Sequence, residues 1–507
     1  MLTREEFQVL YDQGPDALYA LLQTLWTRLA ALEEQNARLS ARVQELEARL
    51  SKDSHNSSKP PSSDGFNKPT PKPCNLRHKT GKRPGGQPGH PGQTLKLVDH
   101  PDHTRVHAPT TCAGCGGSLE DAPVLSQDRR QVFDLPPLKL EVTEHQAISC
   151  VCPHCNTLNV GAFPEEVTQP AQYGPKMLGL CVYLSQYQLL PLARIQELLV
   201  DLFGQSPSQG TFTAAIAACS RWLEPVETAL KAALLRAPVV HSDEIREGIA
   251  NLGCAVGASD EAGVQVDKQL HWIHVAATST LTFYAHHAKR GREAFTAMGI
   301  LPHFEGTSVH DSLASYHDPT YVCTHSLCNA HILRELLGLF EATHQTWPQR
   351  MSALLRSLKR AKEVAQAAGN SALDPPLLLR YQAVYRQIIA RGLGQNPSPT
   401  RTGRRGRPAH GACRSLLLRL EKREDAVLRF ALDFAVPFDN NQAERDLRMI
   451  KVQQKVSGCF RSTDGADHFC RIRGYLSTLR KQGTGILSAL RSVFIGDPIY
   501  PCFEPPV

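Results

Sequence analysis

The chain has no apolar run near the roughly 18 residues that suggest a membrane-spanning helix, which excludes a helical membrane protein. It opens without the pattern of a secretory signal peptide, so a soluble cytoplasmic protein is expected. It also lacks a large excess of one charge, with a formal net charge of +7 over 507 residues. Its 15 cysteines are odd in number, and Cys181, Cys219, Cys254 and Cys413 stand singly. That argues against a disulfide framework and for reduced thiols in a cytosol.

What is present is distributed unevenly. The length suits three or four domains, and 41% hydrophobic residues are enough to bury a core. Between residues 51 and 110, ten Lys or Arg stand against four Asp or Glu, a local net of +6. A second basic run, "RTGRRGRP", adds four arginines at 401–407. Such stretches favour a polyanionic partner, nucleic acid first, although either run alone also suits a solvated linker.

Near the N-terminus apolar residues recur with spacing 4, 3, 4, 3: Leu18, Leu22, Leu25, Leu29, Leu32, Leu39, Val43, Leu46 and Leu50. Leucine fills every d position, and Asn36 takes an a position, where a buried amide favours two strands in register. Arg28 with Glu33 and Arg42 with Glu47 occupy g and the following e. Residues 15–51 therefore read as a leucine-zipper coiled coil that makes a homodimer, the alternative being one amphipathic helix packed on its own domain. Residues 52–106 form a Pro/Gly/Ser-rich tether too poor in apolar residues to fold alone. It either lies along phosphates, through residues such as Lys82 and Arg83, or is a passive linker.

Residues 107–165 carry two CxxC pairs, Cys112 with Cys115 and Cys152 with Cys155. Each pair can form one edge of a tetrahedral thiolate site, so Zn²⁺ in a structural ribbon is expected. Cys150 and His154 lie near enough to confuse the ligand set, and the alternating segment between the pairs reads as short strands. Residues 170–234 read as helices. "PLARIQELLVDLFGQSPSQGTFTAAIAACSRWL" gives a helix, a stop at Gly204 and a second helix opening near Ser208–Thr211. It is either a DNA-reading helix-turn-helix or two helices of ordinary core.

From about residue 236 strands appear. "APVVHSDEIREG" is an apolar run ending in Asp243, "LHWIHVAATS" and "LTFYAHHA" suit a hairpin, and "GTSVHDSLASY" gives a strand ending at Asp311. A strand-terminal aspartate alone is usually a cap or turn residue. Converging carboxylates are different, because two Mg²⁺ ions need hard oxygen ligands to clamp a phosphoryl transfer. The third is supplied by "FDNNQAERDLRMIK". If a helix starts with Asp439 as N-cap, Glu444 shares a stripe with Arg448 and Lys451, and Ala443, Leu447 and Ile450 face the sheet. Asp439 is the rival ligand, and Glu244 would point to the opposite side of the strand. Arg445, Arg448 and Lys451 are candidate phosphate contacts.

The segments "HSDEIREG", "HDSLASY", "HSLCNAHILREL" and "FDNNQAERDLRMIKVQQKVSGCFRSTDGA" closely resemble the insertion-sequence-66 family of bacterial DDE transposases, as do "SHNSSKPPSSD" and "GGQPGHPGQT". The resemblance covers nearly the whole chain. It implies a multidomain α/β protein: coiled coil, zinc ribbon, helical region, and an RNase H-like catalytic domain at 236–480 with a helical insertion at about 345–435, then a C-terminal segment at 481–507. The implied triad is Asp243, Asp311 and Glu444 with Mg²⁺ (or Mn²⁺). The implied reaction is hydrolysis at the transposon ends, then attack of the freed 3′-hydroxyls on target DNA. The implied setting is the bacterial nucleoid, with small accessory proteins of the same element as further partners. "CNAH" carries over as Cys328 and His331, in active-site or packing roles. Ile245 stands where the family usually has Thr, so a hydroxyl is missing beside intact carboxylates. The alternatives are a zipper-dimerised, zinc-containing DNA-binding regulator, a catalytically inactive transposase relative, and a metal-dependent nuclease or resolvase.

Overall fold

The computed structural model describes residues 8, 11–50, 95–247, 264–266, 269–398 and 411–503. Most of the basic tether, with Lys82 and Arg83, and the arginine run at 401–407 lie outside them. The heptads form one 36-residue helix, α1 (Pro15–Leu50). Leu22, Leu25, Leu29, Leu32, Leu39 and Val43 are each at least 50% exposed on it.

Within residues 95–170 the regular structure is small. An antiparallel hairpin joins β1 (Ser149–Val151) to β2 (Leu158–Val160), with Ser149 opposite Val160. A single bridge pairs Thr111 with Ser118. The strands therefore flank the second cysteine pair, and the segment between the pairs, read as strands from its alternation, runs without them up to Ile148. Alternation alone does not make a strand where no neighbour supplies the ladder bonds.

The helices expected over 170–234 are α2 (Pro175–Val182), α3 (Leu192–Phe203), α4 (Gln209–Trp222) and α5 (Glu224–Leu235). Gly204 follows α3 with φ +74°, and Ser208 caps α4 by accepting the Thr211 N–H at 3.2 Å.

Among the described residues six strands follow: β3 (Val239–Glu247), β4 (Val264–Val266), β5 (Gln269–Ala277), β6 (Thr282–His287), β7 (Thr307–His310) and β8 (Thr324–Leu327). The sheet order is β4-β5-β3-β7-β8, and β6 also pairs with β5. β5 runs antiparallel to β3 and β6, whereas β7 is parallel to both β3 and β8. Gly306 permits the junction of the two halves. A Cβ there would lie 2.7 Å from the carbonyl oxygens of Ala237 and Pro238. Thr307 instead comes close enough to donate to Pro238 O at 2.9 Å, which starts β7 beside β3.

Strand β5 is apolar on both faces because both are covered. Ile273, Val275 and Ala277 pack with Ala443, Leu447 and Ile450 of α12 (Asn441–Ser457). Ala276, between them, joins Phe283, Phe295 and Met298 on the other face, where α6 (Arg292–Met298) lies. Between β8 and α12 come α7 (Asn329–Thr343), α8 (Thr346–Ala367), α9 (Pro375–Gln395), α10 (Ala412–Lys422) and α11 (Glu424–Leu432). The last four fill the span expected to be a helical insertion. Their core of Trp347, Leu355, Tyr385, Leu417 and Phe430 also takes in Val309 of β7 and Leu327 of β8. The chain closes with α13 (Thr463–Lys481) and α14 (Ile486–Ile495), which share one core with Val182, Ala215 and Cys219 of the earlier helices. α4 thus spends its apolar face on that core.

Candidate active site

Asp243 lies within β3, not at its end, since the strand continues to Glu247. The expected edge arises from pairing. β7 accompanies β3 only over Val239–His241, and Asp311 directly follows the last residue of β7. Both aspartates therefore sit where the parallel half of the sheet opens, the usual place for functional groups in such sheets. Asp311 is oriented by its own turn, Oδ1 accepting the Leu313 N–H at 2.8 Å.

Glu444 occupies the first turn of α12, and the apolar stripe anticipated from its sequence fixes the rotation of that helix. The cap differs from expectation. Asn440, not Asp439, is the N-cap, and it makes no side-chain cap bond. Asp439 Oδ1 accepts the Asn441 N–H at 3.2 Å. The Asn440 amide turns inward instead: Oδ1 meets His241 Nδ1 at 2.9 Å, and Nδ2 donates to Ser242 O at 2.8 Å. Its backbone N–H donates to Cys328 Sγ at 3.2 Å. One buried amide thereby ties the start of α12 to the two residues before Asp243.

The acids feel one another. Burial raises the pKa of Asp243 well above the usual aspartate range, and Glu244, Asp311 and Glu444 push the same way. Glu444 Oε1 is buried without a hydrogen-bond partner, and His331 Nε2 lies 3.7 Å from it. Strand alternation turns Glu244 away from Asp243, yet it stays coupled to the site. Arg290 Nε donates to Glu244 Oε1 at 2.9 Å while its Nη2 lies 3.9 Å from Asp311 Oδ2. Tyr316 donates its hydroxyl to Glu244 Oε2 at 2.5 Å. Burial pushes Glu244 up to about 7, with Asp311 adding to the rise and Tyr316 and Arg290 opposing it. The Arg290 guanidinium is itself stacked 4.9 Å above the Trp272 ring.

Cys328 and His331 have Glu444 as their third neighbour, the three ligand atoms lying within 4.8 Å of one another. The Cys328 thiol is buried, accepts the Asn440 N–H and is pushed up to about 12 by burial, which makes it a packed neutral group. His331 is the one that faces the acid. Among the basic residues of α12, Lys451 is half-buried; burial pulls its pKa down, while Asp243 and Glu444 draw it up. Arg448 is exposed. Arg445 is exposed too, but its Nη2 donates to Gln442 Oε1 at 2.9 Å along its own helix.

Sequence reasoning missed Arg290, Tyr316, His241 and the roles of Glu244 and Asn440. Only the adjacency of Glu244 to Asp243 and of Asn440 to the helix start was visible. Asp243, Asp311 and Glu444 offer hard oxygens of the kind a divalent cation takes, and one Glu444 oxygen is buried without a hydrogen-bond partner, while the three do not bring an oxygen each within 4.8 Å of one another.

The cysteine pairs sit in tight turns. Cys112 N–H donates to Gly117 O and Cys152 N–H to Thr157 O, at 2.8 and 2.9 Å. The backbone at Cys115 and Gly114 lowers the Cys112 pKa, and the Thr157 hydroxyl lowers that of Cys155, both favouring thiolate. No three of the four cysteines bring their sulfurs within 4.8 Å of one another.

Comparisons with known proteins agree with this division. Residues 109–156 match the zinc-finger binding domain of transposase IS66, which supports Zn²⁺ there. Residues 11–96 match a family of unknown function. No curated protein matches the chain. Residues 170–468 match the transposase IS66 family, a span that takes in all three carboxylates and more than half of the sequence. The chain belongs to the IS66 transposase family.

Proposed function

We propose that the protein is a DDE transposase that binds the ends of its insertion sequence and catalyses metal-dependent strand cleavage, then strand transfer into target DNA. The observation that carries this reading is the meeting of Asp243, Asp311 and Glu444 from β3, the end of β7 and α12. The sheet supports an RNase H-like domain: antiparallel β6, β5 and β3 are continued by parallel β7 and β8.

The three carboxylates would hold Mg²⁺ or Mn²⁺. Such ions supply charge neutralisation and activate the attacking and leaving oxygens of a phosphoryl transfer. The chain's own part is positioning. Asn440 sets Glu444 against β3, Arg290 braces Asp311 against Glu244, and Leu313 N–H fixes one oxygen of Asp311. Lys451 and Arg448 extend along the next turns of α12, where a DNA phosphate backbone would pass. The nucleophiles are water and a DNA 3′-hydroxyl, so no side-chain nucleophile is required. The four cysteines would hold Zn²⁺ in a structural site. The row of exposed leucines on α1 supports a parallel dimer, since such a seam is otherwise left in water.

The test is cleavage of a labelled duplex carrying the element's ends, with Mg²⁺, by the wild type and by Asp243→Ala, Asp311→Ala and Glu444→Ala. Nicking at the ends by the wild type alone is expected. Equal cleavage by all four proteins refutes the triad, and a wild type that binds the ends without cutting favours the non-catalytic regulator.

A further inference from the structure

Three imidazoles gather beside Asp311 that strand cleavage does not use. His310 ends β7, His317 ends the short 3-10 turn Ala314–His317, and His325 lies in β8. One ring nitrogen from each lies within 4.8 Å of the other two. His310 Nε2 is 3.0 Å from His325 Nδ1. The Tyr316 ring stacks on His310 at 4.3 Å between centroids and holds its plane.

Two features point to a ligand. His310 Nδ1 bonds the backbone carbonyl oxygen of Asp311, so the proton sits on Nδ1 and Nε2 turns a lone pair towards the other rings. A metal-bound histidine anchors its second nitrogen in this way. The other is His317 Nδ1, which is buried and has no hydrogen-bond partner.

We propose that His310, His317 and His325 form a three-imidazole site for a borderline divalent transition-metal ion, with Zn²⁺ as its representative. Zn–N bonds of about 2.0–2.1 Å in a tetrahedron put ligand nitrogens roughly 3.3 Å apart. The His310–His325 pair is already near that spacing, and a ring nitrogen of His317 lies within 4.8 Å of both. Imidazole nitrogens select zinc-class ions, whereas Mg²⁺ selects the oxygens of the neighbouring acids, so the two centres take different metals. Arg423 is a charged neighbour of all three rings, and Lys422 of His317; both oppose further positive charge there, so an anionic fourth ligand is needed to offset them. Because His310 is anchored on the Asp311 carbonyl, filling the site fixes the peptide that carries a catalytic carboxylate. The site stands whether or not the chain transposes.

The experiment counts metal on the full chain, stripped and then reloaded with Zn²⁺ and freed of loosely bound ion. Mass spectrometry of metal per chain is compared for the wild type, His317→Ala, His317→Gln and His325→Gln. Loss of one equivalent in each variant, with unchanged circular dichroism, is expected. In a chain whose Cys112, Cys115, Cys152 and Cys155 are all serine, Co²⁺ should still bind without a thiolate charge-transfer band, and His317→Gln should remove one equivalent of it. Equal zinc content in the wild type and all three variants overturns the proposal, as does a cysteine-free chain that takes up no Co²⁺.

Discussion

Glu244→Gln tests the electrostatics of the site most directly. The Glu244 side chain is fully buried, and its pKa rises from the usual glutamate value near 4.5 to about 7. Between those two values the folded chain binds more protons than the unfolded one, so stability falls as pH rises through the window. At 1.36 kcal/mol per pH unit, the 2.5 units from 4.5 to 7 amount to about 3 kcal/mol. Glutamine mimics the protonated acid at every pH. The charge pairing with Arg290 exists only when Glu244 is ionised and is already contained in its pKa of about 7, so it adds no separate term. Below about pH 4, under the unfolded value of 4.5, the two proteins should therefore differ by some constant amount. By pH 8 the variant should have gained about 3 kcal/mol relative to wild type. Urea unfolding at pH 5, 6, 7 and 8, followed by tryptophan fluorescence with Mg²⁺ withheld, reads this difference. A difference that is flat with pH, or that grows in favour of the wild type, refutes the account of Glu244 as a buried acid held against its preferred charge.

Removing the Asn440 amide by Asn440→Ala leaves His241 Nδ1 and Ser242 O unpaired, and should cost roughly 1–3 kcal/mol for each group left buried without a partner. An unchanged thermal midpoint would show that this amide does not anchor α12. His331→Ala should raise the Mg²⁺ concentration needed for half-maximal cleavage by roughly 10- to 100-fold, the usual effect of removing a neighbour that orients a metal ligand. The same half-saturating Mg²⁺ in both proteins would assign His331 to packing alone. Asn36→Val should loosen the choice of oligomer seen in sedimentation equilibrium, and a chain monomeric with either residue rejects the zipper.

Sequence patterns carried the elements whose causes are local. Ala443, Leu447 and Ile450 recur at helical spacing, so the rotation of α12, and with it the direction of Glu444, could be read before any partner was known. The β5–β6 hairpin and the break at Gly204 are equally local. What stayed hidden depends on distant chain. Asp243 is at an edge only because β7 stops early beside β3, a fact of register between segments some 70 residues apart. Arg290 and Tyr316 reach Glu244 across 46 and 72 residues, and Asn440 reaches Ser242 across 198. Three histidines within 16 residues were in plain view, but nothing local says that a 3-10 turn and two parallel strands bring their rings together. The strands misplaced between the cysteine pairs failed for the opposite reason: the pattern was local, and the pairing partner was absent.

The helices α8 to α11 bear on when the candidate site is completed. Their exit is clamped to the start of α7, where Asn329 N–H donates to Phe438 O at 3.1 Å and its amide donates to Val427 O at 3.0 Å. Two acids are thus made early and the third only after the whole insertion has been synthesised. Residues 311 and 444 are 133 apart, which at roughly 5–20 residues per second is about 7 to 27 s of translation. During that interval the nascent chain carries Asp243 and Asp311 without Glu444. A chain that ends inside this span lacks Glu444 and α12, and with them the apolar stripe of Ala443, Leu447 and Ile450 that packs against β5.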